Sequence, residues 1–190
     1  MKIVEYPNYC LRAENEPIAK VDRHLLRLLT NLERTLKNES IGVGLAAPQI
    51  EINRQVIAVN LPDANGKAFQ YNHFINPRVL KQSEKLTLSS SSKKKDLEGC
   101  LSVPHIYAPV WRPEWIELAY QQVENEQLVK KTAKFSDFAA RVVLHEVDHL
   151  QGVLFVDHVL TQNTPLYLEN NQGELEEITK EDLFEIFGPF

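Results

Sequence analysis

Residues 136–152, SDFAARVVLHEVDHLQG, decide how the rest of the chain is read. His145 and His149 stand at i and i+4, with Glu146 directly after the first. On an α-helix those positions share a face, so both imidazoles can reach one metal ion. The ends are helical in character: Ser136 is a good N-cap residue, Asp137 suits the positive first turn, and Gly152 can terminate the helix. Between them Phe138, Ala139, Ala140, Val142, Val143, Leu144, Val147 and Leu150 spread apolar groups around nearly the whole circumference. Such a helix belongs in a core. Imidazoles and charges there are costly unless paired or metal-bound. HExxH on a helix is a divalent-metal pattern, with two imidazole ligands and the glutamate as acid–base group.

A catalytic site of this type needs a third protein ligand and an open position for water or substrate. No histidine follows at the short spacing of the extended zincin motif, and His158 comes without the expected glycine arrangement. Cys100, in EGCLSVP, is the alternative, since a thiolate binds borderline and soft divalent ions strongly. Cys10 has no motif around it and reads as a small buried hydrophobe.

The composition is that of one ordinary globular domain: 190 residues, 43% hydrophobic and 25% charged. A net charge of −5 gives no general reason to expect a nucleic-acid substrate. No apolar run reaches membrane-spanning length, and the first residues lack the basic-then-apolar order of a secretory signal. Two cysteines are too few for a disulfide scaffold. The expectation is a cytoplasmic protein whose thiols stay reduced.

Outward from the central helix, Asp22 can cap a helix running to about residue 37, with Leu25, Leu28, Leu29, Leu32 and Leu36 at helical spacing. Residues 41–50, IGVGLAAPQI, suggest extended backbone held close to something. Residues 55–60 and 74–80 read as strands, with a hairpin-type loop at 61–67. Residues 86–88 can continue a sheet, and 89–95, SSSSKKK, read as a surface loop. Residues 115–123 alternate as a half-buried strand and pair with 127–133 across Asn125. After the central helix, 153–159 read as a short extended segment. Residues 166–168 and 175–178 flank ENNQG as a hairpin, and Thr179 caps a last helix over 180–187.

Three separated motifs, GVGLAAPQ at 42–49, EGCLS at 98–102 and HEVDH at 145–149, resemble the peptide deformylase family in order and separation. The resemblance covers roughly residues 4–160. It implies an α+β fold in which antiparallel or mixed sheets surround the metal-binding HExxH helix. The N-terminal helix and the C-terminal hairpin plus short helix complete it, with a catalytic domain over 1–160 and an acidic extension over 161–190 packed on the same domain. It implies removal of formyl from the N-terminal formylmethionine of nascent polypeptides. Cys100, His145 and His149 would be the ligands and Glu146 the general acid–base residue. Gln49 and the Leu101 backbone N–H would stabilise the oxyanion, and Gly44 would offer backbone groups to the peptide. Val43, Leu45 and Val142 would lie near the methionine pocket, and Arg112 would brace Asp148, with Arg141 as the other partner considered. The ion implied is ferrous iron, with zinc, nickel or cobalt able to substitute.

Three features depart from the family pattern. Glu51 stands where the family usually has glycine, SSSSKKK looks inserted before EGCLS, and the C-terminus lacks the long basic helix associated with ribosome docking. From residue 169 on there are seven acids against Lys180 alone, so any transient ribosome contact is expected elsewhere. The competing readings are a zinc peptidase of the HExxH type and a closed structural metal module using His105 as fourth ligand.

Overall fold

The computed structural model describes residues 1–40, 42–62, 68–89 and 97–190. In chain order come a 3-10 turn (Tyr9–Leu11), α1 (Arg23–Asn38), β1 (Gly44–Ala46), a second 3-10 turn (Ala47–Ile50), β2 (Val56–Pro62), β3 (Phe69–Gln82) and β4 (Leu86–Leu88). Then follow β5 (Glu98–Cys100), β6 (Val103–Ala108), β7 (Trp111–Pro113), β8 (Trp115–Glu124), β9 (Gln127–Ser136), α2 (Asp137–Leu150) and α3 (Phe155–Gln162). β10 (Leu166–Glu169), β11 (Leu175–Ile178) and α4 (Lys180–Phe187) close the chain. The strands form a five-stranded sheet ordered β1-β2-β3-β8-β9, a four-stranded sheet β11-β10-β6-β5, and the pair β4-β7, all antiparallel. This is the α+β arrangement expected from the sequence, with α2 at its centre.

β2 explains the layering. Its residues alternate faces: Val56 and Ala58 pack with Leu25, Leu28, Leu32 and Leu36 of α1, while Ile57, Val59 and Leu61 pack with Val142, Val143, Leu144 and Val147 of α2. Both faces are buried, hence the nearly unbroken apolar run VIAV. α1 starts where expected, because the Asp22 carboxylate accepts the Leu25 N–H at 2.9 Å. The β8–β9 hairpin turns on Asn125 and Glu126, both at positive φ (48° and 62°), which suits a two-residue turn matched to strand twist.

β9 runs straight into α2, and this corrects the expected cap. Ser136 occupies the N-cap position but its hydroxyl accepts no N–H; it is still paired with Trp115 in the sheet. The Asp137 N–H goes instead to the Glu114 carbonyl at 2.8 Å. At the other end Gly152 does terminate the helix, at φ 69°, with the Arg12 carbonyl oxygen 3.1 Å from where a Cβ would stand.

The segment 153–159 is a second correction: it enters α3 rather than a strand. The Leu154 N–H donates to Asp157 Oδ2 at 2.7 Å, and Phe155, Val156 and Val159 bury themselves at helical spacing. Tertiary burial overrides the extended preference of the valines. β3, β8, β9 and β10 run longer than read, while β4 and β11 keep the bounds read from the sequence. β2 reaches Pro62, and the loop placed at 61–67 otherwise lies outside the described residues. Most of SSSSKKK lies outside them too, although Ser89 is buried and its hydroxyl accepts the Val110 N–H at 3.1 Å.

The C-terminal segment joins the sheet that carries Cys100: β10 pairs with β6, and β6 with β5. Thr179 caps α4 by accepting the Asp182 N–H at 3.1 Å. Leu183 is fully buried, and Phe190 stacks on Tyr6 with ring centres 4.2 Å apart. No helix among the described residues is long and apolar enough to cross a membrane.

Glu51 follows the Ala47–Ile50 turn at φ 61°, ψ 31°. The turn that glycine would make freely is kept by a residue with a Cβ, at a cost of about 1–2 kcal/mol. Among the described residues its exposed carboxylate accepts a hydrogen bond from Asn8 alone, at 3.3 Å. Glu51→Gly is therefore expected to raise stability by about 1 kcal/mol, after glycine's entropic cost, read as a higher midpoint in denaturant.

Candidate metal centre

Cys100 ends β5, immediately before the Leu101–Ser102 turn into β6. The turn brings its thiol to α2. One ligand atom from each of Cys100, His145 and His149 lies within 4.8 Å of the others, and Cys100 Sγ is 3.3 Å from His149 Nε2. The Ser102 N–H points at the same sulfur at 3.4 Å. His145 Nδ1 is 2.8 Å from Glu98 Oε1, so the carboxylate accepts Nδ1–H and leaves Nε2 for the cluster. A thiolate and two imidazoles fit a borderline divalent ion, and no fourth such residue joins them among the described residues. His105 is exposed, its Nδ1 3.9 Å from Glu169, and takes no part in the cluster.

Glu146 lies against this cluster, 4% exposed. Burial pushes its carboxyl up to about 7, and its Oε2 is buried without a hydrogen-bond partner. A buried oxygen left unpaired is expensive unless something else occupies the site during turnover. Gly44 explains the fit: a Cβ there would stand 2.7 Å from Glu146 Cγ and Cδ. Gly44→Ala must therefore displace Glu146 or β1. An error of about 1 Å at a reacting group costs about 10²-fold, and that loss in kcat/KM is expected with the metal content unchanged.

Gln49 is buried, its Oε1 accepting the Ala46 N–H at 2.8 Å. Its Nε2 donates to Ser102 Oγ at 3.1 Å and sits 3.7 Å from Cys100 Sγ. Leu101 follows the cysteine in the turn, half-buried against the α1 side. Val142 is buried one helical step from His145 and Glu146, and Val43 packs on the same cluster of residues. Leu45 is different. Strand alternation turns Gly44 and Ala46 toward α2 and sends the Leu45 side chain, fully buried, into the opposite cluster with α1. The pocket role expected of that side chain is corrected accordingly.

Arg112 donates to Asp148 Oδ2 at 2.8 Å, as expected, but its main partner was not foreseen. Its Nε is 2.9 Å from Glu98 Oε2 and its Nη2 2.5 Å from Glu98 Oε1, with both residues buried. Burial works to raise the Glu98 carboxyl; the Arg112 charge and hydrogen bonds, then His145, outweigh it and hold it well below its usual range. Burial likewise opposes the Arg112 charge, and Glu98 and Asp148 keep it protonated. His158 Nε2 meets the same Asp148 oxygen at 2.8 Å. Arg141 does not reach Asp148: it binds Glu98 Oε2 (3.3 Å), the Val110 carbonyl (2.8 Å) and the Thr87 carbonyl (3.0 Å). Glu98, His158 and Ser102 are site residues that the sequence reading left without a role, and Arg141 was read only as the alternative partner of Asp148. The usable signal was Arg141 itself, a charge on an apolar helix that had to find acceptors.

A buried HExxH helix, a cysteine ligand from a neighbouring hairpin and an unpaired carboxylate beside them define a metal-dependent hydrolase. Comparisons with known proteins narrow this. The family profile for polypeptide deformylase matches residues 1–164. The peptide deformylase of Microchaete diplosiphon is 40% identical over 149 residues, covering 78% of this chain and 73% of that one. The crystal structure of Arabidopsis thaliana peptide deformylase 1B with an inhibitor superposes with a TM-score of 0.71 at 36% identity, covering 83% and 81% of the two chains. A probable peptide deformylase from synechococcus phage S-SSM7 gives 0.71 at 34%, covering 83% and 99%. The chain belongs to the polypeptide deformylase family, whose activity is removal of the formyl group from N-terminal formylmethionine.

Proposed function

We propose that Cys100, His145 and His149 hold one divalent ion and that Glu146 is the acid–base residue of deformylation. The observation that carries this is the unpaired, buried Glu146 Oε2 beside the three-ligand cluster. When bound, the ion supplies Lewis acidity, polarising a carbonyl oxygen and acidifying water. Glu146 takes the proton of the attacking water and passes it to the departing amine, so the formyl C–N bond breaks to give formate and a free N-terminus. A carboxyl near 7 suits both halves of that transfer at neutral pH. Gln49 Nε2 and the Leu101 N–H donate to the developing oxyanion. β1 is an edge strand, so the Gly44 backbone can pair with an extended peptide, while Val43 and Val142 border its methionine.

Ferrous iron is the proposed physiological ion, with zinc, nickel or cobalt as substitutes. Residues 1–160 form the catalytic domain in this reading and 161–190 an extension packed on it. The compartment is the cytoplasm, where Cys10 and Cys100, both free, stay reduced. The deciding test is formate release from formyl-Met-Ala-Ser by anaerobically purified protein, with metal content measured alongside. Hydrolysis of the unformylated peptide instead would favour a peptidase and overturn the assignment.

The acidic extension is not the proposed ribosome contact. Because Leu183 is a core residue, deleting the extension would confuse docking with folding. Glu174→Gln, Glu176→Gln, Glu177→Gln and Glu181→Gln together are expected to leave ribosome binding unchanged or stronger. Weaker binding in a sedimentation assay would sink this reading.

A further inference from the structure

α1 turns its leucines into the fold and presents a second stripe outward. Arg23, Arg27, Thr30, Arg34 and Lys37 follow one another at alternating four- and three-residue steps, all exposed. The stripe extends roughly 21 Å along the helix. Lys37 is paired with Glu33 at 2.5 Å. Arg23, Arg27 and Arg34 enter no ion pair with an acid among the described residues, and Arg34 reaches only Asn31, at 3.2 Å. This arrangement works against the helix. The first turn itself holds no acid, and only the Asp22 cap opposes Arg23 at the positive end of the helix dipole. Arg23 and Arg27 are also like charges at i and i+4, a destabilising pair. Like charges kept at this spacing on an exposed face point to what the surface meets.

The surroundings share the sign. Beside α1 lies a cavity of about 360 Å³ lined by Lys20, Arg27 and Arg54, with Asp22 the one acid among its described lining residues, and by the apolar Ile18, Leu28 and Ile52. Arg54 is tied to Glu16, and Asp22 is used as the helix cap. The chain's net charge of −5 hides this face, because the seven acids beyond residue 168 outweigh it. Those acids lie on the segment joined to β6, whereas α1 packs on the face of the large sheet opposite α2.

We infer that the outer face of α1 docks on folded RNA, with Arg23, Arg27 and Arg34 contacting backbone phosphates. The inference rests on the deformylase reading in one respect: a nascent-chain substrate places the enzyme beside ribosomal RNA. Guanidinium forks match phosphate oxygens two at a time and stay charged at any working pH. Docking through α1 leaves uncovered the opposite face of the sheet, where α2 carries His145 and His149. The acidic extension, repelled by the same phosphates, limits the orientations available.

The test compares full-length, metal-loaded enzyme with an Arg23→Gln/Arg27→Gln/Arg34→Gln variant on 70S ribosomes and on protein-free ribosomal RNA. The expected result is at least tenfold weaker binding to both. Each lost phosphate contact flattens the dependence of log affinity on log salt by about 0.7–0.9, so the slope should change by roughly two to three units. The kcat/KM for formyl-Met-Ala-Ser should stay as in the wild type, since none of the three residues touches the site. Unchanged affinity and slope would overturn the proposal. Weaker binding to ribosomes with RNA binding intact would overturn it too, assigning the face to a ribosomal protein. A wild-type dimer that the variant loses, with ribosome binding intact, would assign the stripe to the acidic extension of a second copy. Failure of the wild type to release formate is read in the separate peptide assay and bears on the deformylase reading alone.

Discussion

Glu146→Gln is expected to lower kcat/KM for formyl-Met-Ala-Ser by roughly 10³-fold, within the 10²–10⁴ range of a lost acid–base group, while metal content and melting temperature stay close to the wild type. The reasoning is electrostatic and steric together. Glutamine fills the space that Gly44 leaves, so packing is preserved. Oε2 makes no hydrogen bond among the described residues, so no structural bond between them is lost. What disappears is a group that can accept and return a proton. Near-normal turnover with metal bound would remove Glu146 from the mechanism. A parallel loss of metal would instead make it a structural neighbour of the ligands.

Arg112→Met carries the largest expected cost in stability, about 3–5 kcal/mol, because removing one partner of a buried ion pair strands the other. Glu98 is 6% exposed and would face the interior with only His145 and a marginal contact from Arg141. At this chain length that corresponds to a melting temperature lower by roughly 10 °C, measured by circular dichroism. Adding Glu98→Gln should recover part of the loss, since the stranded charge is then gone. The same double variant weakens the hold on His145, and metal affinity is expected to fall about 10–100-fold. Because the folded Glu98 carboxyl lies well below its usual value, its contribution is fully present above the unfolded carboxylate's range, about 4.3. It is lost only as pH falls through the lower folded value.

Much of this site was legible because its chemistry demands residues that are conspicuous in an apolar setting. HEVDH on a helix hydrophobic all round announced a metal, and EGCLS with GVGLAAPQ supplied the rest. What stayed hidden depends on contacts between distant segments. Glu98 looked like the first letter of a motif, yet it is the acceptor that joins Arg112, Arg141 and His145. No periodicity announces that convergence. The Ser136 cap was read correctly as local chemistry and overruled by the strand, whose pairing with β8 keeps residue 136 in the sheet. α3 was missed because its valines favour strands in isolation, and only the cluster around Leu11 and Leu154 rewards the helical turn. Leu45 shows the opposite difficulty: a motif names a residue, but the pleat decides which side chain faces the site.

β2 behaves as a two-sided ledger of seven residues, and that makes it a diagnostic instrument. Enlarging Val56 or Ala58 presses on α1, the helix with the basic face, whereas enlarging Ile57 or Val59 presses on α2 and its ligands. A substitution scan along this one strand should thus register alternately, position by position, in ribosome affinity and in formate release. Few short segments let a single experiment ask whether the two faces of an enzyme can change independently.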